Sequence, residues 1–145
     1  MKKQLSAIDF HCHSKFSGES SEWFLKKMGC PESFTEPMAL YERAKKNGMH
    51  FVTITDHNVI DGALEIAHLD DAFVSCEVAT YFPENHAKLD ILALDITEEQ
   101  YRECMKLRPN VYELVEYLNQ ENIFHSLAHP LYNMNGKLAL EHVEK

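Results

Sequence analysis

The 145-residue chain has no apolar run approaching the roughly 18 to 20 residues that a membrane-crossing helix requires. Its opening residues, MKKQLSAIDFHCHS, lack the apolar core and small-residue cleavage site of a secretion signal. These absences lead us to expect a cytoplasmic protein with no membrane partner. None of the four cysteines, Cys12, Cys30, Cys76 and Cys104, forms a C-x-x-C pair, so reduced thiols are expected rather than disulfides. Basic residues are outnumbered, 14 Lys and Arg against 23 Asp and Glu, for a net charge of −9. Non-specific nucleic-acid binding runs on Lys and Arg at phosphates, so the balance argues against it. No G-x-S-x-G nucleophile elbow and no G-x-x-x-x-G-K phosphate loop occurs. Repeats, low-complexity tracts and Gly-, Ser- or Pro-rich linkers are absent too, so residues 1–145 read as one domain.

What remains is an alternation of strand and helix. Residues 6–10 read as a short strand, and Thr35-Glu36-Pro37 opens a helix, with Thr35 as its cap, that Gly48 stops. Residues 50–55 form the next strand, a short helix covers 62–68, and two apolar strands follow at 72–78 and 89–94. Thr97-Glu98-Glu99 begins a polar helix. Asn110 caps another, in which Val111, Leu114, Val115 and Leu118 repeat at helical spacing. A fifth strand is expected at 123–128 and a helix start at 138–145. This order implies an α/β protein with a largely parallel sheet, of the kind that forms part of a barrel.

Nine histidines are many for this length, yet single motifs carry little: composition alone yields about half an instance of H-x-H by chance. Position carries more. His11 and His13 sit at the end of the first strand, Asp56 and His57 at the end of the second, Glu77 at the end of the third and His129 at the end of the fifth. In a parallel sheet these ends share one edge, where α/β sites are built. Residues i and i+2 of extended chain face one way, so His11 and His13 can grip one cation while Cys12 points elsewhere. Asp56 would orient an imidazole or a metal-bound water. Glu77, costly to bury alone, would bridge two cations. Pro130 restricts His129 to extended geometry. His125, about 13 Å along the strand from His129, reads as a packed histidine.

The ordered set DFHCHSKFSGES, ITDHN, the Glu of SCEVAT and the AHP of HSLAHP resembles the polymerase and histidinol phosphatase domain family along nearly the whole chain. The resemblance implies a distorted (β/α)7 barrel, of which about five strands are present here, and phosphoesterase chemistry at two or three divalent ions such as zinc, manganese or iron. It implies that His11 and His13 bind one metal, that Glu77 bridges to a second completed by His129, and that His57 binds a third. Where the family often has a further histidine, Glu19 stands; where it has one before the fourth strand, Asp90 stands, with His86 in the preceding loop as the alternative. The family's closing Asp-x-His is missing, and a closed barrel takes about 200 residues, so we expect a fragment whose site is incomplete. Lys15 would reach a substrate phosphate, and residues 21–25 would form a lid or a short packed helix. The expected substrate is a small phosphorylated metabolite or nucleotide. Two rivals stay open: a metal-bound but inactive regulatory or scaffold domain, and a metal-dependent amide hydrolase, which generally needs a lysine between its metals.

Overall fold

A computed structural model describes residues 5–18, 27–28, 30–130, 132 and 136–143. Five strands form one sheet in sequence order: β1 (Ile8–Asp9), β2 (Phe51–Ile54), β3 (Ala72–Tyr81), β4 (Lys88–Leu94) and β5 (Phe124–Ala128). The helices are α1 (Pro37–Lys46), α2 (Asp61–Ile66), α3 (Glu98–Leu107), α4 (Val111–Gln120) and a short α5 (Leu140–Val143). Strands β1, β2 and β3 run parallel, but β4 is antiparallel to both β3 and β5. The expectation of a largely parallel sheet is corrected here. β3 continues to Tyr81 and β4 begins at Lys88, so the connection is too short for a parallel crossover of about a dozen residues and closes as a hairpin instead.

The reversal has a consequence for the site. Because β4 runs backwards, its first residues lie at the edge where β3 and β5 end: Lys88 pairs with Tyr81, and Asp90 pairs with both Ala79 and Ala128. Glu77 is not at a strand end as expected; it lies within β3, opposite Leu92.

Alternation along the strands sorts the side chains onto two faces. Ile54, Val74, Cys76, Val78, Ile91 and Ala93 face the helices. Cys76, Val78, Ile91 and Ala93 pack with Leu114 and Leu118 of α4 and Cys104 of α3, whereas Val52 and Ile54 pack with Ala63 and Ile66 of α2. The other face carries a small apolar cluster of Leu92, Leu94 and Ala128 against Phe73. Beside it are polar side chains: Thr53 donates its hydroxyl to Ser75 Oγ at 2.7 Å, and Glu77 and Asp90 are buried. The sheet curls around this polar face. Phe10, just after one edge strand, and Phe124, in the other, bring their ring centroids to 6.2 Å.

Helix ends follow local chemistry with one shift. Pro37 occupies the first turn of α1, which makes Glu36 rather than Thr35 the cap position, and no side-chain cap bond forms there. Thr97 and Gln100 build a reciprocal capping box on α3, and the Asn110 side chain accepts from Tyr112 N–H at the start of α4. Leu114 is fully buried at the centre of the larger cluster. Truncating it should lower unfolding stability by about 2–5 kcal/mol, the usual range for a leucine cavity. A urea titration of Leu114→Ala checks this; a change below about 1 kcal/mol contradicts the packing described.

Candidate metal centre

The H-x-H segment follows β1 and is anchored by the chain that follows β2. Thr55 N–H donates to the Cys12 carbonyl at 2.8 Å, and Cys12 N–H donates to Thr55 Oγ1 at 3.2 Å. Asp56 completes the anchorage. Its carboxylate accepts from Ser14 N–H and from the Ser14 hydroxyl, each at 2.6 Å, with both residues buried. Asp56 therefore holds the loop bearing the histidines, its carboxylate bonded to Ser14 rather than to an imidazole. Gly62 of α2 permits this approach, since a Cβ there would stand 2.2 Å from Asp56 Oδ2 and 2.4 Å from Ser14 Oγ.

Four imidazoles from three chain segments meet at one carboxylate. Glu77 Oε2 lies 3.1 Å from His11 Nε2, 3.2 Å from His13 Nε2 and 3.2 Å from His57 Nδ1, and Glu77 Oε1 lies 3.0 Å from His129 Nε2. Glu77 has no exposure to solvent. Two overlapping sets of donor atoms are close enough to hold an ion each: His11, Glu77 and His129, and His13, His57 and Glu77. The division differs from the one the resemblance implied, because His129 falls with His11 and His57 with His13. The H-x-H pair nonetheless stays together, with its Nε2 atoms 3.0 Å apart.

His57 arrives through an isolated parallel bridge to Glu77 beyond the end of β2, fixed by Asn58 N–H donating to the Glu77 carbonyl and Glu77 N–H donating to the Asp56 carbonyl. His129 arrives by a turn. Its φ of 33° takes it out of extended geometry, so the restriction expected from Pro130 does not hold. By simple alternation His129 would share the helix-side face with His125 and Leu127; the left-handed turn swings it into the polar face instead. Tyr132 N–H donates to the His129 carbonyl at 2.8 Å, and its ring stands edge-on to the imidazole. His125 stays outside the group and bonds the Ile123 carbonyl at 2.8 Å.

Asp90 shares the face of Glu77 and is 1% exposed. Its Oδ2 has no hydrogen-bond partner among the described residues, and its Oδ1 is 3.2 Å from Lys88 Nζ without hydrogen-bond geometry. Asp90 joins neither set of donor atoms. His86 sits exposed in the β3–β4 turn, outside both as well. Lys15 pairs with Glu36 at 2.6 Å and lies over the Phe16 ring. Glu19 and residues 21–25 lie outside the described residues.

Three contributors were not singled out from sequence. Glu32 Oε2 is 2.7 Å from His57 Nε2. The buried Ser17 hydroxyl lies 3.2 Å from His13 Nδ1 and accepts from His57 N–H at 3.2 Å. Lys88 reaches the site edge because β4 is antiparallel, although a parallel reading of the sheet places no lysine there. In sequence, only the carboxylate in the C-P-E-S stretch marked Glu32, and nothing in its spacing tied it to His57. His11, His13, Glu32, His129 and Tyr132 line an open cavity of about 460 Å³, within the usual range for small-ligand sites.

The donor set fits divalent cations. Burial pushes the Glu77 pKa up, but hydrogen bonds from His11 and His13 and the charge of His57 outweigh it and hold the carboxyl well below the ordinary range. Its hydrogen bond to Glu77 raises His11; burial lowers His57, yet Glu32 and Glu77 raise it overall. Burial raises Asp56, and burial with the nearby Glu77 charge raises Asp90 against the pull of Lys88. A site that sustains positive charge beside a buried carboxylate, with an unpartnered Asp90 oxygen nearby, is suited to a metal ion.

No protein-family model matches this chain. An uncharacterized protein of Methanocaldococcus jannaschii is 43% identical over 65 residues, covering 45% of this chain and 36% of that protein. A solved structure from Bifidobacterium adolescentis, named provisionally as a metal-dependent phosphoesterase, is similar with a TM-score of 0.44 and 20% identity, covering 82% of this chain and 34% of that one. The chain thus spans about a third of the length of each.

Two predictions follow from the geometry. Gly62→Ala should lower stability by roughly 1–3 kcal/mol through overpacking against Asp56 and Ser14; a wild-type melting curve for this variant contradicts that. Without metal, the depressed Glu77 pKa contributes stability that is present above its ordinary value near 4.5 and lost as pH falls toward the folded value. The raised His11 and His57 values contribute stability present below 6.5 and lost as pH rises through their folded values. Asp56 and Asp90, shifted upward, favour the protonated fold and flatten the acid limb. Thermal melts across pH in chelator should therefore peak between about 4.5 and 6.5. Glu77→Gln should flatten the alkaline fall, and an unchanged profile contradicts the charge arrangement.

Proposed function

We propose that this chain carries the metal centre of a hydrolase acting on phosphate esters. One observation carries the reading: a buried Glu77 carboxylate shared by His11, His13, His57 and His129, an arrangement that serves two cations through one bridging ligand. The motif resemblance supports it, and the donor set of imidazole and carboxylate suits zinc, manganese or iron. Two divalent ions held there would lower the pKa of a shared water and act as Lewis acids on phosphate oxygens.

The residues themselves have separable tasks. Glu77 would draw the two ion positions together; His11 and His129 would complete one and His13 and His57 the other. Asp56, through Ser14, keeps the loop of His11 and His13 fixed, and the Ser17 hydroxyl steadies His13. A thiol nucleophile does not fit: burial and the neighbouring Asp9 push Cys12 up to about 12, and burial raises Cys76 as well. The open cavity and the acidic balance favour a small phosphorylated metabolite or nucleotide over a long nucleic acid.

Lys88 at the site edge keeps an amide-hydrolase reading in play, although its ammonium lies against Asp90 and Glu77 already occupies the shared position. Elemental analysis of the purified protein, followed by phosphate release from small phosphomonoesters with added manganese or zinc, separates the cases. The expected result is bound metal and metal-dependent release that His11→Ala lowers more than about 100-fold, beyond the 10- to 100-fold typical for groups that merely support a ligand. Metal with no turnover supports a scaffold, amide turnover alone supports the rival enzyme, and a metal content near zero overturns the proposal.

A further inference from the structure

We propose that Asn58 is a positioning residue of this centre: it ends the ladder between the β2 segment and β3 with its side chain in place of its backbone, and so holds His57 in register with Glu77. The inference rests on the metal-centre reading above and adds a residue to it. In a parallel ladder the hydrogen bonds run evenly from one strand to the other and back. Past the end of β2 two such rungs form around the bridge that pairs His57 with Glu77: Glu77 N–H donates to the Asp56 carbonyl at 3.2 Å, and Asn58 N–H donates to the Glu77 carbonyl at 2.9 Å. The next rung would run from Ala79 N–H to the Asn58 carbonyl. It does not form, because Asn58 has a φ of 57° and its carbonyl instead accepts from the Tyr101 hydroxyl of α3 at 3.0 Å. Ala79 N–H donates to Asn58 Oδ1 at 2.9 Å. The side chain thus supplies the rung that the backbone leaves out.

Position 58 therefore carries a double requirement. Left-handed backbone is costly for most residues with a Cβ, and asparagine and aspartate are among the side chains that tolerate it best. Glycine accepts the same φ but has no acceptor to offer. Ala79 is buried, and a buried N–H without a partner is costly, so losing Oδ1 favours a shift of the turn or of the strand. His57 is one peptide away from Asn58, and its Nδ1 lies 3.2 Å from Glu77 Oε2, so any slip of the turn moves that imidazole against the carboxylate. The same turn leads into α2: Ile60 is buried in the larger apolar cluster, and Gly62 packs against Asp56 and Ser14. Asn58 thus redirects the chain toward α2 while keeping His57 level with Glu77.

The test compares wild type, Asn58→Asp and Asn58→Gly. Aspartate keeps an acceptor and tolerates the φ, whereas glycine keeps the φ and removes the acceptor, so neither variant strains the turn. Hydrogen exchange of the Ala79 amide reads the rung, urea unfolding reads global stability, and zinc and manganese titrations by calorimetry read affinity. Positioning predicts that in Asn58→Gly the Ala79 amide exchanges roughly fivefold to tenfold faster than the change in urea stability accounts for, the weight of one hydrogen bond. Metal affinity in that variant falls roughly 10- to 100-fold. In Asn58→Asp both quantities stay within a few-fold of wild type. Unchanged Ala79 exchange in Asn58→Gly overturns the inference. Lower unfolding stability with unchanged metal affinity also overturns it, since a turn that only supports the fold behaves that way. So does an affinity that Asn58→Asp fails to restore while Ala79 stays protected, because the rung is then separate from the metal site. In a chain that binds no metal, Ala79 protection lost in Asn58→Gly and kept in Asn58→Asp upholds the register and sinks only the metal-centre reading.

Discussion

A carboxylate sealed from water must find positive charge or hydrogen-bond donors, and the surroundings of Glu77 are organised by that requirement. It lies within β3, on the face opposite the helix-packed core, and each of its oxygens meets imidazole nitrogen at 3.0–3.2 Å. Left unpaired, such a group costs several kcal/mol. The supporting structure can be understood as the means of delivering donors to it. The Asp56–Ser14 pair fixes the loop of His11 and His13, a parallel bridge past β2 delivers His57, and a left-handed turn after β5 delivers His129.

The apolar scaffold makes that delivery possible. Helix-facing residues of β2, β3 and β4 bury against α2, α3 and α4, so the sheet is held from one side and its other face is left for polar groups. The curl of the sheet then brings its two edge strands near each other, shown by the Phe10 and Phe124 rings and by His11 and His129 at 5.6 Å between centroids. His11 and His129 come from opposite ends of the strand order, and only the curl lets them share Glu77.

The antiparallel course of β4 decides which side chains stand at the edge of the site. A parallel sheet would place the start of β4 at the far edge from the site, along with Asp90 and Lys88. The hairpin puts both at the near edge, which gives Asp90 a physical reason to be buried on the face of Glu77 and brings a lysine where none was expected. Buried with an unpartnered oxygen, Asp90 adds a second carboxyl group to the polar face, with Lys88 Nζ 3.2 Å from its Oδ1.

The sequence by itself marked His11, His13, His57, Glu77 and His129 as converging, because H-x-H, D-H, the strand glutamate and A-H-P each follow or occupy an apolar segment, and apolar periodicity is a local property. It also set the caps at Thr97 and Asn110 and the composition that disfavours broad nucleic-acid binding. Tertiary structure decided the rest. The direction of β4 depends on where β3 ends, the swing of His129 on a φ of 33°, and the partner of Asp56 on how closely Gly62 lets α2 approach. Glu32 was invisible to spacing because its contact with His57 spans 25 positions of chain and is made across a loop docked on Ser17. Local pattern records what a residue can donate; only the closed fold decides which atom it meets.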